Sequence, residues 1–384
     1  VKIVLDARWI FEEISGVPSY TTELITHLGK LESEHRYVLL FNDPDLLERT
    51  DQRTGFSRTG RMEGYLFRHG IFSPGSQFAL PRLLRTLGAD LFHSPNYMIP
   101  MLPMTAGIPS NIMTVVTIHD VIPLKFPEFT PRSRKGRILP VYRGMMRRIG
   151  RLADAILTVS NASKVDLVEH LKVPDDEIDK VKVVYNGVSG RYVPGSPRPD
   201  GALKTILCVG RQDPYKNQLT LIEAFAKLRQ TGMTDIILRI VGPDDPRYPE
   251  AKDRARDLKL DDAIQWDGHL KPKALLEAYQ SANVFIMPSR YEGFGLPVLE
   301  AMASGTPVVC SDAGSLPEVA GDAAIYVNPE DPDGMASALR RVLTEADEAE
   351  RLREAGLRQS RSFSWDRTAM ETSAVYTSLN SRKP

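Results

Sequence analysis

The sequence predicts an α/β protein built from two doubly wound parallel-sheet domains. Three observations carry this expectation. Short apolar, β-branched runs alternate with longer amphipathic segments, the alternation restarts after a proline- and glycine-rich stretch near the middle, and 384 residues are more than one hydrophobic core usually takes but suit two. Strands that alternate with helices form parallel sheets covered on both faces.

The first set of runs is Lys2 to Leu5, Tyr37 to Phe41, Leu91 to His93, Thr114 to Ile118, Ala155 to Val159 and Val181 to Tyr185. The second is Thr205 to Val209, Ile236 to Val241, Ile264 to Trp266, Val284 to Met287, Val308 to Cys310 and Ala324 to Val327. Helical patterns lie between them, such as Asn217 to Arg229 and Pro272 to Ala282. Residues 190–203 read GRYVPGSPRPDGAL, with three prolines, three glycines and no apolar period. This marks residues 191–203 as a linker between a domain of residues 1–190 and one of residues 204–364. Trp365 to Leu379 form a last amphipathic helix pattern. Ligands of such sheets bind outside the carboxyl ends of the strands, and two facing domains would set those ends across a central cleft.

Composition excludes several classes. Lysine plus arginine equals aspartate plus glutamate at 49 each, so the whole chain is no polyanion binder, and no nucleic-acid partner is expected. Two isolated cysteines, Cys208 and Cys310, sit in apolar runs and read as small buried hydrophobes in a reducing compartment. No leader pattern precedes Val1 to Leu5, and no apolar run approaches the roughly 20 residues of a membrane span. The expectation is a cytoplasmic protein, with peripheral attachment at the inner face of the cell membrane as a variant. Among titratable side chains no His or Cys cluster has metal spacing, and no Asp-x-Asp stands in a convincing context, so no metal or cofactor is expected.

The chemistry concentrates in the run from Pro288 to Val309. A strand ends at Pro288, a loop holds Glu292, Gly293, Phe294 and Gly295, and a helix begins near Leu296 and Pro297 with Glu300 one turn inside. Glycines let backbone amides approach a ligand, and a helix start favours a phosphate. A carboxylate accepts two hydroxyl hydrogens at once, which suits sugar and ribose diols. A plain surface loop followed by a helix with a solvated glutamate is the competing reading. A second run, Val209 to Asn217, leaves a strand and opens a helix. It carries Gly210, Arg211 and Lys216, a planar fork and a compact charge able to neutralise a diphosphate, or two solvated cations.

The stretch with Glu292 and Glu300 resembles the Glu-x7-Glu motif of the retaining family-four glycosyltransferases of the GT-B fold, whose two domains are Rossmann-like. Ser311 to Val319 resembles that family's GxxPE segment, and Arg211 with Lys216 its GR…K pair. The resemblance covers nearly the whole chain. It implies that Glu292 faces a donor sugar, that Glu300 holds the nucleotide ribose, and that the amides of Phe294, Gly295 and Leu296 reach donor hydroxyls or phosphate. It implies that Arg211 and Lys216 stabilise the leaving diphosphate. Ile14 to Pro18 is similar to the family's donor loop, with Gly16 and Val17 at the phosphates, although Ser15 replaces one of two usual glycines. His119, in Thr117-Ile118-His119-Asp120, matches the family's histidine beside the reacting sugar; a structural strand-end histidine is the alternative. Gly242 and His269 fall where the family cradles the nucleobase. Ser160 matches a donor-side strand end, or caps a helix. The helix of about 365–384 is expected to pack back on the N-terminal domain.

The resemblance implies a nucleotide-sugar donor, with GDP-mannose the expected one, and a glycan or lipid-linked acceptor. An epimerase or hydrolase of the same fold and a non-catalytic sugar-nucleotide-binding module are the alternatives. A dehydrogenase is disfavoured because the first strand is not followed by Gly-x-Gly-x-x-Gly. Finally, Phe129 to Ala153 holds no acidic residue. Val141, Met145, Ile149 and Leu152 form one helical stripe with Arg143, Arg147 and Arg151 roughly opposite, so residues 132–151 either meet an anionic membrane or pack the stripe on the sheet.

Overall fold

The computed structural model describes residues 1–11, 16–101, 111–129, 132, 138–195 and 203–381 of the chain. It contains two parallel sheets. The first has β1 (Lys2–Leu5), β2 (Arg36–Phe41), β3 (Met62–Leu66), β4 (Leu91–Ser94), β5 (Met113–Thr117), β6 (Ala155–Thr158) and β7 (Val181–Val183), in the order β3-β2-β1-β4-β5-β6-β7. The second has β8 (Lys204–Val209), β9 (Ile236–Val241), β10 (Ile264–Trp266), β11 (Val284–Met287), β12 (Val308–Ser311) and β13 (Ala324–Val327), in the order β10-β9-β8-β11-β12-β13. Each sheet reverses its direction of growth beside its first strand. The crevices between β1 and β4 and between β8 and β11 are therefore the topological switch points at which such sheets bind ligands.

Central strands are legible because they are buried on both faces; β11 and β12 are buried at every position. β3 escaped prediction. It is an edge strand, MEGYL, with Glu63, Gly64 and Tyr65 exposed, so it needs no apolar run and is defined by its pairing with β2.

The chain forms two compact units. One comprises Val1–Leu124, Ile138–Gly187 and Ser364–Pro384, the other Lys125–Arg137 and Val188–Phe363. Two expected boundaries change. The first unit ends at 187 rather than 190, and the start of the expected linker is packed structure: Tyr192 is buried against Tyr279, with ring centroids 5.7 Å apart, and Val193 O accepts from Gln280 Nε2 at 2.8 Å. An aromatic in a proline-rich stretch has surface worth burying, which composition alone hides. Residues 196–202 of that linker lie outside the described residues. Likewise Lys125 and Phe126 belong to the second unit, where they meet the ring of Tyr291.

The helix Leu139–Leu152 forms, but on a different face from the expected one. Tyr142, Met146 and Ile149 are buried, whereas Val141 is 70% and Leu152 42% exposed. The sheet takes the larger Tyr142, which packs on Tyr97 at 5.7 Å, and the stripe rotates by part of a turn. Of the basic run, Arg134, Lys135 and Arg137 lie outside the described residues. In the helix Pro332–Thr344, Asp331 is the N-cap, accepting from the amides of Asp333 and Gly334.

The last helix, Trp365–Asn380, packs in the first unit. Trp365, Ala369, Tyr376 and Leu379 join Tyr20, Leu24 and Leu28 of the helix Val17–Lys30 in one core. A polar chain runs through it. His93 Nδ1 meets Tyr376 Oη at 2.6 Å, His93 Nε2 meets Thr117 Oγ1 at 2.9 Å, and Tyr20 Oη lies 3.1 Å from that same hydroxyl. Burial, then the charge of His119, pushes the His93 imidazole down to about 3. His93 stays neutral when folded but binds a proton below about 6.5 when unfolded, so its contribution to stability is present above about 6.5 and is lost as pH falls toward about 3. The denaturation midpoint should therefore fall between about pH 7 and about pH 5, and His93→Gln should flatten that fall. Equal slopes for both proteins would show that His93 is not the group protonated on unfolding.

Candidate donor site

In the second unit the loops that leave β8 and β11 meet at the switch point. After β8 the chain turns through Pro214–Lys216 to Asn217, which holds a left-handed conformation (φ 58°) before the helix Gln218–Gln230. Asn217 ties three segments together. Its Nδ2 donates to Pro288 O at 3.0 Å and to Pro329 O at 2.7 Å, and its Oδ1 accepts from Thr220 at 2.7 Å. Arg290, just beyond β11, fixes the same turn: its amide donates to Tyr215 O at 2.7 Å and its guanidinium to Pro214 O at 3.1 Å.

This arrangement brings Lys216 onto Glu292. Lys216 Nζ lies 2.7 Å from Oε1 and 3.0 Å from Oε2, and the two side chains are 16% and 9% exposed. Burial alone would lower the ammonium, but the Glu292 charge, with Tyr215 and Asp213, leaves it raised above the ordinary lysine range. Lys216 is therefore charged at neutral pH. Glu292 is itself held from behind. Its carbonyl accepts from the amide and hydroxyl of Ser315 at 3.2 and 3.1 Å. A Cβ on Gly314 (φ 60°) would stand 2.7 Å from Glu292 O, so the loop after β12 must pass it as glycine. The helix Leu296–Ala303 starts directly after Gly295 on the same edge, with Pro297 in its first turn, and adds the partial positive charge of a helix N-terminus.

Arg211 is 57% exposed and paired with Asp213, Nε to Oδ2 at 2.9 Å. Neighbouring strands end in closely packed backbone: Gly210 N donates to Val241 O, Gly242 N donates to Gly268 O, and a Cβ on Gly242 would fall 2.0 Å from Gly210 O. His269 follows, exposed. Glu300 Oε2 accepts from Tyr279 Oη at 2.8 Å. Together this is a carboxyl edge carrying a largely buried lysine, an exposed arginine, a helix start and two carboxylates. Such a set can hold a diphosphate and hydroxyl-rich groups.

Residues 195–359 match the description "Glycosyl transferases group 1" and residues 14–189 match "Glycosyltransferase Family 4". A glycogen synthase of Mycobacterium tuberculosis is 34% identical over 298 residues, 76% of this chain and 69% of the relative. The chain belongs to the family-four, group 1 glycosyltransferases. It is a retaining hexosyltransferase of the GT-B fold that works from a nucleotide sugar. An O-antigen chain mannosyltransferase B of Escherichia coli is 28% identical over 404 residues, covering 98% of this chain and 99% of the relative. Among solved structures, the sucrose-phosphate synthase of Thermosynechococcus elongatus matches the full chain with a TM-score of 0.79 at 22% identity.

The sequence-derived residues of this glycosyltransferase fall into two groups. Gly210, Arg211, Lys216, Gly242, His269, Glu292, Gly293, Phe294, Gly295, Leu296 and Glu300 all belong to the second unit. Phe294 turns its ring onto Phe363, centroids 5.9 Å apart, which leaves only its backbone for a ligand. Gly16, Val17 and His119 stand at the carboxyl edge of the first sheet. Gly16 is the N-cap of the helix Val17–Lys30; Ile14 and Ser15 lie outside the described residues. His119 Nε2 donates to Pro95 O at 3.1 Å, which fixes its tautomer, and its ring packs edge-on to Tyr20 at 4.7 Å. Ser160 is a helix N-cap, accepting from Ser163 N at 3.0 Å, and Asp120 caps a turn at Ile122 N.

Sequence reasoning missed Asn217, Gly314 and Tyr279. The one available signal was an asparagine between two helical patterns, a residue that tolerates left-handed backbone. It also read Lys216 as a charge for a diphosphate or as a solvated cation, whereas the structure pairs it with Glu292. Lys216→Ala should therefore lower stability by about 3 kcal/mol, the low end for breaking a buried pair, because Glu292 is left uncompensated. Adding Glu292→Gln should restore the stability but not the turnover. Denaturant titration of the single and double variants checks this; additive losses would mean that the two side chains are not coupled.

Proposed function

We propose that this glycosyltransferase transfers mannose from GDP-mannose, with retention, to a glycan or lipid-linked acceptor. The observation that carries the reading is the meeting of Lys216 and Glu292 at the β8–β11 switch point beside a helix N-terminus. The mannose assignment is supported by the name of the Escherichia coli relative, which spans almost the whole chain. In this reading Lys216 and Arg211 stand at the diphosphate, with the amides of Gly295 and Leu296. Glu292 faces the sugar and Glu300 the ribose, while Gly210, Gly242 and His269 border the base.

The bond from the anomeric carbon to the diphosphate oxygen breaks with its electron pair on the diphosphate. The acceptor oxygen bonds to that carbon on the same face, and its proton passes to the departing phosphate oxygen. Charge grows on the diphosphate during this step. A fixed ammonium and a helix start bind it more strongly in the transition state, an effect of about 2.7–4 kcal/mol per donor. In this reading these groups supply the positive charge that the leaving group needs.

A panel of nucleotide sugars, each at about 100 times its dissociation constant, should single out GDP-mannose by a stabilisation of about 2.7 kcal/mol. Transfer from it should continue unchanged in excess chelator. Selection of a different donor would overturn the mannose assignment, and activity restored only by a divalent cation would overturn the metal-independent step.

The acceptor reading extends to the membrane surface. No helix among the described residues is long and apolar enough to cross a membrane, but the helix Leu139–Leu152 exposes Val141 and Leu152 beside Arg143, Arg147 and Arg151. Exposed aliphatic and cationic side chains on one helix suit an anionic bilayer surface. Binding to anionic vesicles should weaken as salt rises, since the Debye length is about 8 Å at physiological ionic strength, and should fall further on charge reversal of the three arginines. Protein that ignores such vesicles at low salt would rule this attachment out.

A further inference from the structure

Lys216 answers for the charge of one carboxylate of the donor site. The other, Glu300, is half-buried and takes a phenol hydroxyl instead. Burial raises its carboxyl above the ordinary range, and the groups that oppose this are the hydroxyl of Tyr279, then that of Tyr192, then the charge of Arg191. Tyr279 comes from the helix Pro272–Ser281 and donates to Glu300 Oε2 at 2.8 Å. Tyr192 comes from the segment that begins the second unit, and its ring packs edge-to-face on Tyr279 at 5.7 Å. That segment is fastened in place: Val188 N donates to Phe363 O at 3.2 Å, and Gln280 Nε2 donates to Val193 O at 2.8 Å.

The chemistry is that of an acceptor that must stay ionised. A carboxylate has about four lone-pair sites, and a protonated one turns part of that capacity into a donor. Two phenol hydrogens on a buried carboxylate favour the charged form and fix its plane. Tyr279 itself remains a donor at neutral pH, because burial pushes its hydroxyl well above the ordinary tyrosine range. Cys208, the other titratable group beside Tyr279, is pushed up to about 12 by burial and stays neutral.

We propose that Tyr279 and Tyr192 are positioning residues for nucleotide recognition: their hydroxyls hold Glu300 as an oriented carboxylate whose remaining lone pairs take the vicinal diol of a nucleoside diphosphate ribose. The inference rests on the assignment of Glu300 to the ribose made above. It makes Arg191–Gly195, the start of the stretch that composition marks as a linker, part of the nucleotide site.

The test is calorimetric titration of GDP and of UDP into the wild-type chain, Tyr279→Phe, Tyr192→Phe and Glu300→Gln, from about pH 8 to about pH 5, with a melting curve for each protein. The diphosphate's own titration is common to all four and cancels in the comparison. At about pH 8 both Phe variants should bind within about threefold of wild type, because the lost bond orients Glu300 rather than touching the nucleotide. As pH falls they should lose affinity earlier. A midpoint raised by about one unit makes each about tenfold weaker than wild type at the acid end. Glu300→Gln should bind weakly with no such pH dependence. Glu300→Gln binding like wild type would overturn the ribose assignment. Glu300→Gln weakened while both Phe variants follow the wild-type pH profile would overturn the positioning role alone. A loss in Tyr279→Phe that is equal at every pH and tracks a lower melting temperature would also overturn it, reducing Tyr279 to packing.

Discussion

The ion pair of Lys216 with Glu292 is the constraint around which the second unit's functional edge is arranged. Two charges with side chains 16% and 9% exposed are costly unless each stays within hydrogen-bond reach of the other. That requirement explains the neighbouring irregularities. Asn217 adopts left-handed backbone and binds two loop carbonyls, Arg290 clamps the Pro214–Lys216 turn, and Gly314 gives up its side chain so that Ser315 can reach the carbonyl of Glu292. Each of these residues acts on backbone position, and together they set where a charged ammonium stands relative to the helix that starts at Leu296. Backbone forced into rare conformations by surrounding contacts is where local stability is given up for geometry.

The first unit uses the opposite strategy. A chain of neutral, hydrogen-bonded buried groups runs from Tyr20 through Thr117 and His93 to Tyr376. The buried charges of Asp6 and Arg8 neutralise one another at 2.7 Å, and Arg8 adds bonds to His69 O and Ser76. Because Tyr376 arrives from the last helix, the stability of this network depends on residues from both ends of the chain. His119 packs against Tyr20, so the histidine that resembles the family's sugar-facing residue is braced by the same assembly.

The two carboxylates of the Glu-x7-Glu run thus have different environments. Glu292 faces a cation, Glu300 faces phenols. A carboxylate neutralised by an ammonium can exchange that partner for a polar ligand, whereas one held by hydroxyls keeps its charge available to further donors. The same spacing in the sequence therefore supports two distinct roles, set by which helix and which loop pack against each side chain.

The strands, the two sheets and the family membership were legible in the sequence because they depend on local pattern. A strand buried on both faces must be a short apolar run, a helix must repeat at 3.6 residues, and the glycine, proline and glutamate spacing around 288–309 is a property of consecutive residues. What the chain order could not contain were relations between distant segments. The edge strand β3 is defined by its partner, the true buried face of the helix Leu139–Leu152 by the sheet beneath it, and the packed start of the linker by Tyr279. Lys216 and Glu292 lie 76 positions apart, so their pairing depends on the sheet order that sets β8 beside β11. The sequence by itself determined which residue types stand at the carboxyl edges; only the tertiary structure decided which of them touch, because hydrogen bonds and desolvation act through distances that parallel topology, not sequence separation, controls.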